Sequence, residues 1–155
     1  MTEHHTTSDR AVIVKRVDEG AADTEEIADL ARSAGYEVAA EVTQTRTEDP
    51  AYHVGEGKVA EIAAAVRRTD ATAVIFDNQL GPYQTFNVGN ELPEGVSIVD
   101  RFRLILEIFG QRAQTKKAQL QVELAELRYE LPRAEAKVSL ARRDERPGFM
   151  GLGEY

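Results

Sequence analysis

The stretch Thr72-Ala-Val-Ile-Phe76 decides how the rest of the chain is interpreted, because it is a short, continuous run of apolar residues. A strand of this kind is buried on both faces, which is typical of a parallel sheet covered by helices. Residues 11–17, 36–43 and 96–99 also have strand character. The gaps between the four segments are 18, 28 and 19 residues, too long for hairpins and long enough for crossover helices. The sequence therefore predicts an α/β fold over residues 11–100: a small four-stranded parallel sheet with flanking helices and right-handed crossovers.

Helical signals fill the gaps between these strands. Thr24 is a candidate N-cap with an acidic first turn behind it, and Gly35 is placed to end that helix. A second helix is predicted over residues 57–68, where the apolar residues fall on one face. Residues 80–90 are expected to form a loop or a short helix.

The pattern changes after Asp100, which is a candidate N-cap for a long helix. From residue 120 the apolar residues are spaced alternately by four and three, a period of 3.5 that is typical of a helix pairing along a narrow seam. We therefore expect a coiled-coil-like helical arm over residues 101–145. Gly110 weakens the helix and Pro132 removes a backbone donor, so a kink or restart near Pro132 should divide the arm into two segments. The predicted seam consists of Leu120, Leu124, Leu127 and Leu131, followed by Ala134, Val138 and Ala141.

Charge is divided unevenly along the chain. The formal net charge is −8, from 27 acidic and 19 basic residues. Residues 1–100 hold 19 acidic and 8 basic residues, a charge of −11, whereas residues 101–155 hold 8 acidic and 11 basic residues, a charge of +3. An acidic body with a basic arm favours an anionic partner for the arm, although a solvated helix face gives the same pattern.

The two ends of the chain are predicted to lie outside the folded core. Residues 1–10 are polar and lack periodicity, so we expect a disordered start. Residues 146–155 place Gly and Pro around apolar side chains and are expected to form a Gly-rich loop or tail. Arginine suits phosphate contact and an aromatic or apolar tip can stack on unpaired bases, so the end of the arm is a candidate RNA-binding site. Its candidate residues are Arg142, Arg143, Arg146, Phe149 and Met150.

Composition excludes several classes of function. The chain has 155 residues, 42% of them apolar, enough for one domain with a real core. It contains no Cys, which excludes disulfides, thiolate zinc sites and cysteine nucleophiles. Neither a signal peptide nor a long apolar segment is present, so we expect a cytoplasmic protein without a membrane partner.

Candidate chemistry in the body is limited. The segment Gly55-Glu-Gly-Lys58 has the glycines and the lysine of a phosphate-binding loop, but the residue after Lys58 is Val59 where a P-loop needs Ser or Thr. A flexible turn at the start of the second helix is the simpler interpretation. His53 lies in the loop before it, where a surface position is expected rather than a catalytic one.

A second possible site follows from the predicted topology. Ligands of open parallel sheets bind beyond the carboxyl ends of the strands, where this sequence has Asp18, Asp77 and Asp100. Three carboxylates could hold Mg²⁺ and support phosphoryl transfer. Turns and N-caps also prefer Asp, so the alternative of a small Mg²⁺-dependent phosphoryl-transfer domain needs these side chains to converge.

The segment from Leu120 to Arg133 has the sequence Leu-Gln-Val-Glu-Leu-Ala-Glu-Leu-Arg-Tyr-Glu-Leu-Pro-Arg. It is the most specific of several motifs, over a range from about residue 11 to the end, through which the chain resembles the HflX family of ribosome-associated GTPases. The tail from Arg146 to Tyr155 looks like the archaeal form. The other matching segments are Tyr52-His-Val-Gly-Glu-Gly-Lys58, Phe76-Asp77, Asp100-Arg101, Ile108-Phe109 and Gln111-Arg112-Ala113.

The resemblance implies a parallel α/β domain joined to an antiparallel helical hairpin and followed by a GTPase domain that uses GTP and Mg²⁺. It further implies that the hairpin loop reaches the large ribosomal subunit, in ribosome splitting or rescue. On this plan residues 101–145 are the first hairpin helix and residues 146–155 the hairpin loop. The returning helix and the GTP-binding motifs lie beyond these 155 residues, so no cofactor and no catalysis are expected here. The family-motif residues are Gly55, Gly57, Lys58, Asp77, Asp100 and Arg101.

The leading hypothesis is therefore a non-catalytic, ribosome-binding N-terminal domain of an HflX-type GTPase. Its expected partners are the large ribosomal subunit and its rRNA, and the missing GTPase domain and second hairpin helix. The unpaired seam also predicts homo-oligomerisation through the arm. A plain oligomerisation module remains the second alternative beside the phosphoryl-transfer domain.

Overall fold

The computed structural model describes the backbone of residues 9–145 and the side chains up to residue 142. Strands and helices alternate through the first hundred residues, and two helices follow. The elements in chain order are β1 (Arg10–Val17), α1 (Glu25–Ser33), β2 (Glu37–Thr45), α2 (Glu56–Thr69), β3 (Ala73–Phe76), α3 (Pro82–Asn90), β4 (Ser97–Val99), α4 (Arg101–Arg112) and α5 (Lys116–Glu145).

The four strands form one parallel sheet in the order β2-β1-β3-β4, which confirms the predicted fold class. At its centre Val12 pairs with Val74 and Ile13 with Ile75. All four residues of β3 are buried, as the uninterrupted apolar run indicated. The strand β1 begins at Arg10, one residue earlier than predicted and inside the segment expected to be disordered.

Two apolar cores lie on the two faces of the sheet. One contains Val14 and Phe76 from the strands together with Ile62 from α2 and Val88 from α3. The other joins strand residues to α1 and α4, with Leu104 fully buried. Because each fully buried large side chain contributes roughly 1.5–3 kcal/mol, these two layers supply most of the driving force for folding the body.

The ends of α1 agree with the sequence only in part. Gly35 follows the helix with a φ of 104°, a conformation that a residue with a Cβ rarely adopts, so its predicted role as terminator is confirmed. Thr24 occupies the N-cap position, but its side chain makes no capping bond. Its hydroxyl donates to Glu41 on β2 instead, and the Asp23 carboxylate accepts the Glu25 N–H at 2.9 Å.

The arm is interrupted at a different place from the one predicted. The chain leaves the helical conformation at Ala113, whose ψ is 116°, and α5 begins after Thr115. The Thr115 hydroxyl accepts the Ala118 N–H at 3.1 Å and caps the new helix. In the sequence, this break is indicated by Thr115, directly before Lys116. The signal is easily overlooked, because the regular spacing of apolar residues further along the arm favours one long helix.

Pro132, by contrast, lies inside the continuous helix α5. The predicted restart there is wrong, because packing of α5 against the body holds the helix together despite the missing donor. Arg133 adds to this, since its side chain donates to the Tyr129 carbonyl at 3.0 Å, one turn earlier. Among the helices that the structure describes, none is both long enough and apolar enough to cross a bilayer.

Candidate functional site: the two faces of helix α5

One face of α5 packs on the body. Tyr129 and Ala136 are buried, and Val122 and Ala125 are partly buried. Their spacing of three, four and seven residues puts them on one side of the helix. A Cβ on Gly110 would lie 3.6 Å from Val122, so α4 and α5 approach each other closely there. We refer to Val122, Ala125, Tyr129 and Ala136 as the docking face.

A polar anchor at the middle of the docking face joins α5 to the sheet. Arg133 donates to the Leu80 carbonyl at 2.6 Å, and its guanidinium lies 3.7 Å from the centroid of the Tyr129 ring. The Tyr129 ring also stacks on Phe102 of α4, with centroids 5.5 Å apart. Burial and the nearby Asp100 carboxylate raise the pKa of Tyr129, so its phenol stays protonated at neutral pH.

Asp100 is the central acceptor of this anchor. One of its carboxylate oxygens accepts the Arg103 N–H at 3.0 Å, which confirms its predicted N-cap role. The other accepts the Leu80 N–H at 3.1 Å and lies 3.6 Å from Arg133. With 1% exposure, Asp100 is satisfied by the protein itself. A further ion pair between Arg103 and Glu130 fixes α5 to α4.

The opposite face of α5 carries the predicted seam. Helical geometry advances about 100° per residue, so these side chains lie roughly 180° from Tyr129. They are 48% to 67% exposed, which for large apolar side chains on one helix is unusual. We refer to this surface as the exposed seam, and its members are Leu120, Leu124, Leu127, Leu131 and Val138.

The sequence analysis recognised the exposed seam and missed the docking face. The signal was present, since Val122, Tyr129 and Ala136 recur every seven residues. This spacing was overlooked because the leucine repeat on the opposite side of the helix has the same period and is stronger. Helix α5 therefore has two opposite apolar faces, of which only the docking face packs on the body within the described residues.

The RNA-binding candidates fall at the far end of α5. Arg142 is exposed on the last part of the helix whose side chains the structure describes. The side chain of Arg143, and Arg146, Phe149 and Met150, lie outside the described residues. Of the family-motif residues, Arg101 is engaged in ion pairs with Asp77 at 2.6 Å and with Glu26 at 3.3 Å, back in the body.

The strand-end carboxylates do not converge. Asp77 is 8% exposed overall, and its carboxylate lies between two cations, Lys15 at 2.9 Å and Arg101. Asp100 caps α4, and Asp18 is largely exposed with its carboxylate 2.8 Å from Arg16. No cluster of three metal-binding side chains occurs among residues 9–142. The geometry therefore does not favour the magnesium-dependent alternative.

A side chain bridges β1 and β3 at the point where the strand order reverses. The Asn78 side chain accepts the Arg16 N–H and donates to the Arg16 carbonyl, each at 3.1 Å. This pairing extends the hydrogen bonding between the two strands by one side chain. At the position where parallel α/β proteins commonly bind ligands, the Asn78 amide is thus used within the fold.

His53 is buried, contrary to expectation, with 2% exposure and a φ of 70°. Arg16 donates to its Nε2 at 3.3 Å, and Glu48 lies 3.5 Å from its Nδ1. Burial, the largest influence, lowers the pKa of His53, and the neighbouring Arg16 charge acts in the same direction. Loop residues are usually exposed, so sequence alone gave no signal for this contact.

The glycine motif that follows His53 forms the start of α2. Gly55 precedes the helix, and a Cβ there would come within 3.1 Å of the Gln44 side chain, whose oxygen accepts the Gly55 N–H at 2.8 Å. Gly57 lies in the first turn, and Lys58 forms an ion pair with Glu61 at 3.0 Å. The close approach of β2 explains Gly55 without a ligand.

This parallel α/β body with an attached helical arm matches a known class of protein. The family model for the N-terminal region of GTP-binding GTPases matches residues 21–110, and the model for their middle region matches residues 112–155. The chain is 47% identical over 130 residues to GTPase HflX of Thermococcus kodakarensis and 40% identical over 159 residues to GTPase HflX of Escherichia coli. The chain belongs to the HflX family.

Coverage and solved structures complete this comparison. The two matches span 84% and 99% of this chain but only 29% and 37% of the relatives, so the chain covers about a third of their length. A crystal structure of a GTP-binding protein from Sulfolobus solfataricus in complex with GDP superposes with a TM-score of 0.66 at 26% identity, over 89% of this chain and 42% of that one. A structure described as the SsGBP and GDP complex gives a TM-score of 0.69 at 27% identity, over 87% and 39%.

Proposed function

We propose that this chain is the non-catalytic, ribosome-binding N-terminal part of an HflX-type GTP-binding protein of the cytoplasm, and that α5 carries the contact with the rRNA of the large subunit. The observation that supports this most directly is the exposure of α5. The helix is docked through one face only, and it leads away from an acidic body towards Arg142 and Arg143. The end of the arm is thus the part of the chain best suited to a polyanion.

In this proposal, nucleotide chemistry belongs to the remainder of an HflX-length protein. GTP binding, Mg²⁺ and hydrolysis would be carried by the two thirds of the relatives' length that this chain does not span. In this proposal the body serves as a rigid base for the arm. The polar side chains at the ends of its strands, those of Asp77, Asn78 and Asp100, form ion pairs and hydrogen bonds within the fold.

Cosedimentation with purified large ribosomal subunits tests the arm. Reversing both charges in the variant Arg142→Glu/Arg143→Glu removes two phosphate partners and adds repulsion, so we expect the dissociation constant to rise by about tenfold or more. The fraction of protein pelleting with the subunits is measured over a protein titration at fixed, moderate salt.

The matched control is Arg67→Glu/Arg68→Glu, which reverses two adjacent exposed arginines at the end of α2 and changes net charge equally. It should bind like the wild type. Equal weakening by both double variants would show that only net charge matters. Binding by the arm variant at the wild-type level would overturn the assignment of the RNA contact to the end of α5.

A further inference from the structure

We propose that the outer edge of β2 pairs with the same edge of a second copy of this chain, antiparallel and with Thr43 on the two-fold axis. The two four-stranded sheets then become one continuous sheet. This goes beyond the proposed function, and its test uses no ribosomes.

The strand β2 forms the edge of the sheet that is remote from α5. It lies at one end of the order β2-β1-β3-β4, and within the described residues it pairs only with β1. The helix α5 packs on α3 and α4 and is anchored beside Asp100, which follows β4 at the other end. The exposure of β2 therefore does not depend on what α5 contacts. An uncovered edge of nine residues can accept another strand.

Alternate backbone groups of β2 point away from the sheet. The Arg46 N–H donates to the Val17 carbonyl at 2.9 Å, so Arg46 faces β1. In a parallel ladder every second residue bonds to the same neighbour, which assigns the even-numbered residues from 40 to 44 to β1 as well. The residues whose N–H and C=O groups point outward are therefore Glu41, Thr43 and Thr45.

The side chains of these three residues leave room for a second strand. All three are exposed, and two of them make contacts near the start of α1. Thr24 donates to the Glu41 carboxylate, and Thr45 donates to the Gly20 carbonyl. The strand also contains neither Pro nor Lys, the residues with which edge strands commonly resist pairing.

A second copy fits this edge because β2 supplies the same three outward residues in reverse order. A closed pair of identical edges has two-fold symmetry, which makes the two strands antiparallel. With Thr43 opposite its own copy, Glu41 lies opposite Thr45 of the second copy twice, which gives three hydrogen-bonded pairs. The pair of threonines at the axis is favourable in itself.

The position of Glu41 selects this register. With the axis at Thr43 the two copies of Glu41 are about 14 Å apart, beyond the screening length of about 10 Å at 0.1 M salt. An axis at Val42 would bring them to about 8 Å, and an axis at Glu41 would oppose them directly. An axis at Gln44 keeps them apart but leaves only two hydrogen-bonded pairs within β2.

The charge of the body predicts how the pairing depends on salt. Residues 1–100 carry a charge of −11, so two bodies repel each other, whereas the paired backbone groups are uncharged. Screening of this repulsion should strengthen the dimer as salt rises from about 0.1 M to about 1 M. Phosphate contacts of the arm should weaken over the same range, so the two interactions are distinguishable.

Sedimentation equilibrium tests the association, in a Leu124→Asp background so that the exposed seam does not contribute. This parent protein should approach twice the 17.2 kDa chain mass as its concentration and the salt rise. Thr43→Pro removes the outward N–H at the axis and no hydrogen bond to β1, so the dimer dissociation constant should rise by about tenfold or more. Thr43→Ala keeps that N–H and should dimerise like the parent. A parent that stays monomeric, or a Thr43→Pro variant that dimerises equally well, would overturn the proposal.

Lysine variants test the register without a proline in the strand. Thr45→Lys places a cation opposite Glu41 of the second copy twice and should lower the dissociation constant several-fold. Thr43→Lys changes net charge equally but sets two cations against each other at the axis, so it should raise the constant several-fold. A dimer strengthened by Thr43→Lys would place the axis at Val42 and overturn the register.

Discussion

At the scale of single residues, Asp100 connects more of the molecule than any other side chain described above. It follows β4, caps α4, accepts the Leu80 N–H and lies beside Arg133 and Tyr129 of α5. Asp was predictable here as an N-cap, because Phe102 and Leu106 begin a helical pattern directly after it. Its second role was not predictable, because Leu80 is twenty residues away in sequence and reaches it only through the crossover of α3.

Removing the Asp100 carboxylate should therefore lower the free energy of unfolding by more than the loss of an N-cap alone. For Asp100→Ala we expect the free energy of unfolding to fall by about 3 kcal/mol, roughly 1 for the cap and 1–3 for the buried Leu80 N–H left without an acceptor. Urea denaturation followed by circular dichroism measures it.

The matched control is Asp29→Ala, which removes a carboxylate that is exposed on α1 and forms an ion pair with Arg32. It should change the free energy of unfolding by less than about 0.5 kcal/mol. If Asp100→Ala were no more destabilising than this control, the hydrogen bonds that Asp100 accepts from the Arg103 and Leu80 N–H groups would not be stabilising the fold.

At the scale of elements, α5 shows how tertiary contacts override local signals. The period of 3.5 predicted a helix correctly, and the leucine repeat identified one of its two apolar faces. Pro132 argued for a break that does not occur, because the docking face on both sides of it is held by Tyr129 and Ala136. The signals for the break at Ala113 are Gly110, which weakens the helix before it, and the capping residue Thr115 after it, and both are weaker signals than a proline.

Pro132 must still cost stability where it stands. Pro132→Ala restores one backbone hydrogen bond and relieves the clash with the preceding turn, so we expect the free energy of unfolding to rise by about 1–3 kcal/mol. The gain should be smaller than the full interior penalty because alanine also gives the unfolded chain more freedom.

Thermal denaturation measures this effect, with Glu135→Ala as the control on the same helix. Both positions are exposed, and the control should shift the midpoint little. A lower midpoint for Pro132→Ala would mean that a proline-induced bend is required for α5 to fit the body.

At the scale of the whole molecule, the loop before α2 is tied to the sheet by groups that titrate. His53 is buried against Arg16 of β1, and Glu48 accepts from Gln84 of α3. The hydrogen bond from Gln84 lowers the pKa of Glu48, and backbone hydrogen bonds, from Tyr52 first, lower the pKa of Asp49. All three shifts oppose protonation in the folded state.

Acid should therefore destabilise the fold in two stages. Because the pKa of His53 is depressed on folding, the unfolded chain takes up a proton first as pH falls below about 6.5, and stability is lost there. The depressed pKa values of Glu48 and Asp49 add a second loss below about pH 4.5. Urea midpoints measured from pH 7.5 to 5 follow the first stage.

The variant His53→Asn tests whether His53 causes the first stage, the loss of stability below about pH 6.5. Asparagine tolerates a positive φ better than most residues, so the loop conformation is kept while the titrating ring is removed. The variant should start from a lower stability at pH 7.5 and show a flatter dependence down to pH 5. An unchanged slope would assign the loss to other groups.

The single-sided attachment of α5 has a mechanical consequence. Among the side chains that the structure describes, Ala136 is the last buried one of the helix, and Glu145 lies nine residues further, about 14 Å along the axis. A force applied at Glu145 would therefore use α5 as a lever, with the contact between Tyr129, Arg133 and Asp100 as its fulcrum. Because Asp100 directly follows the edge strand β4, we expect a load on the arm to act on this edge of the sheet before it disturbs the core.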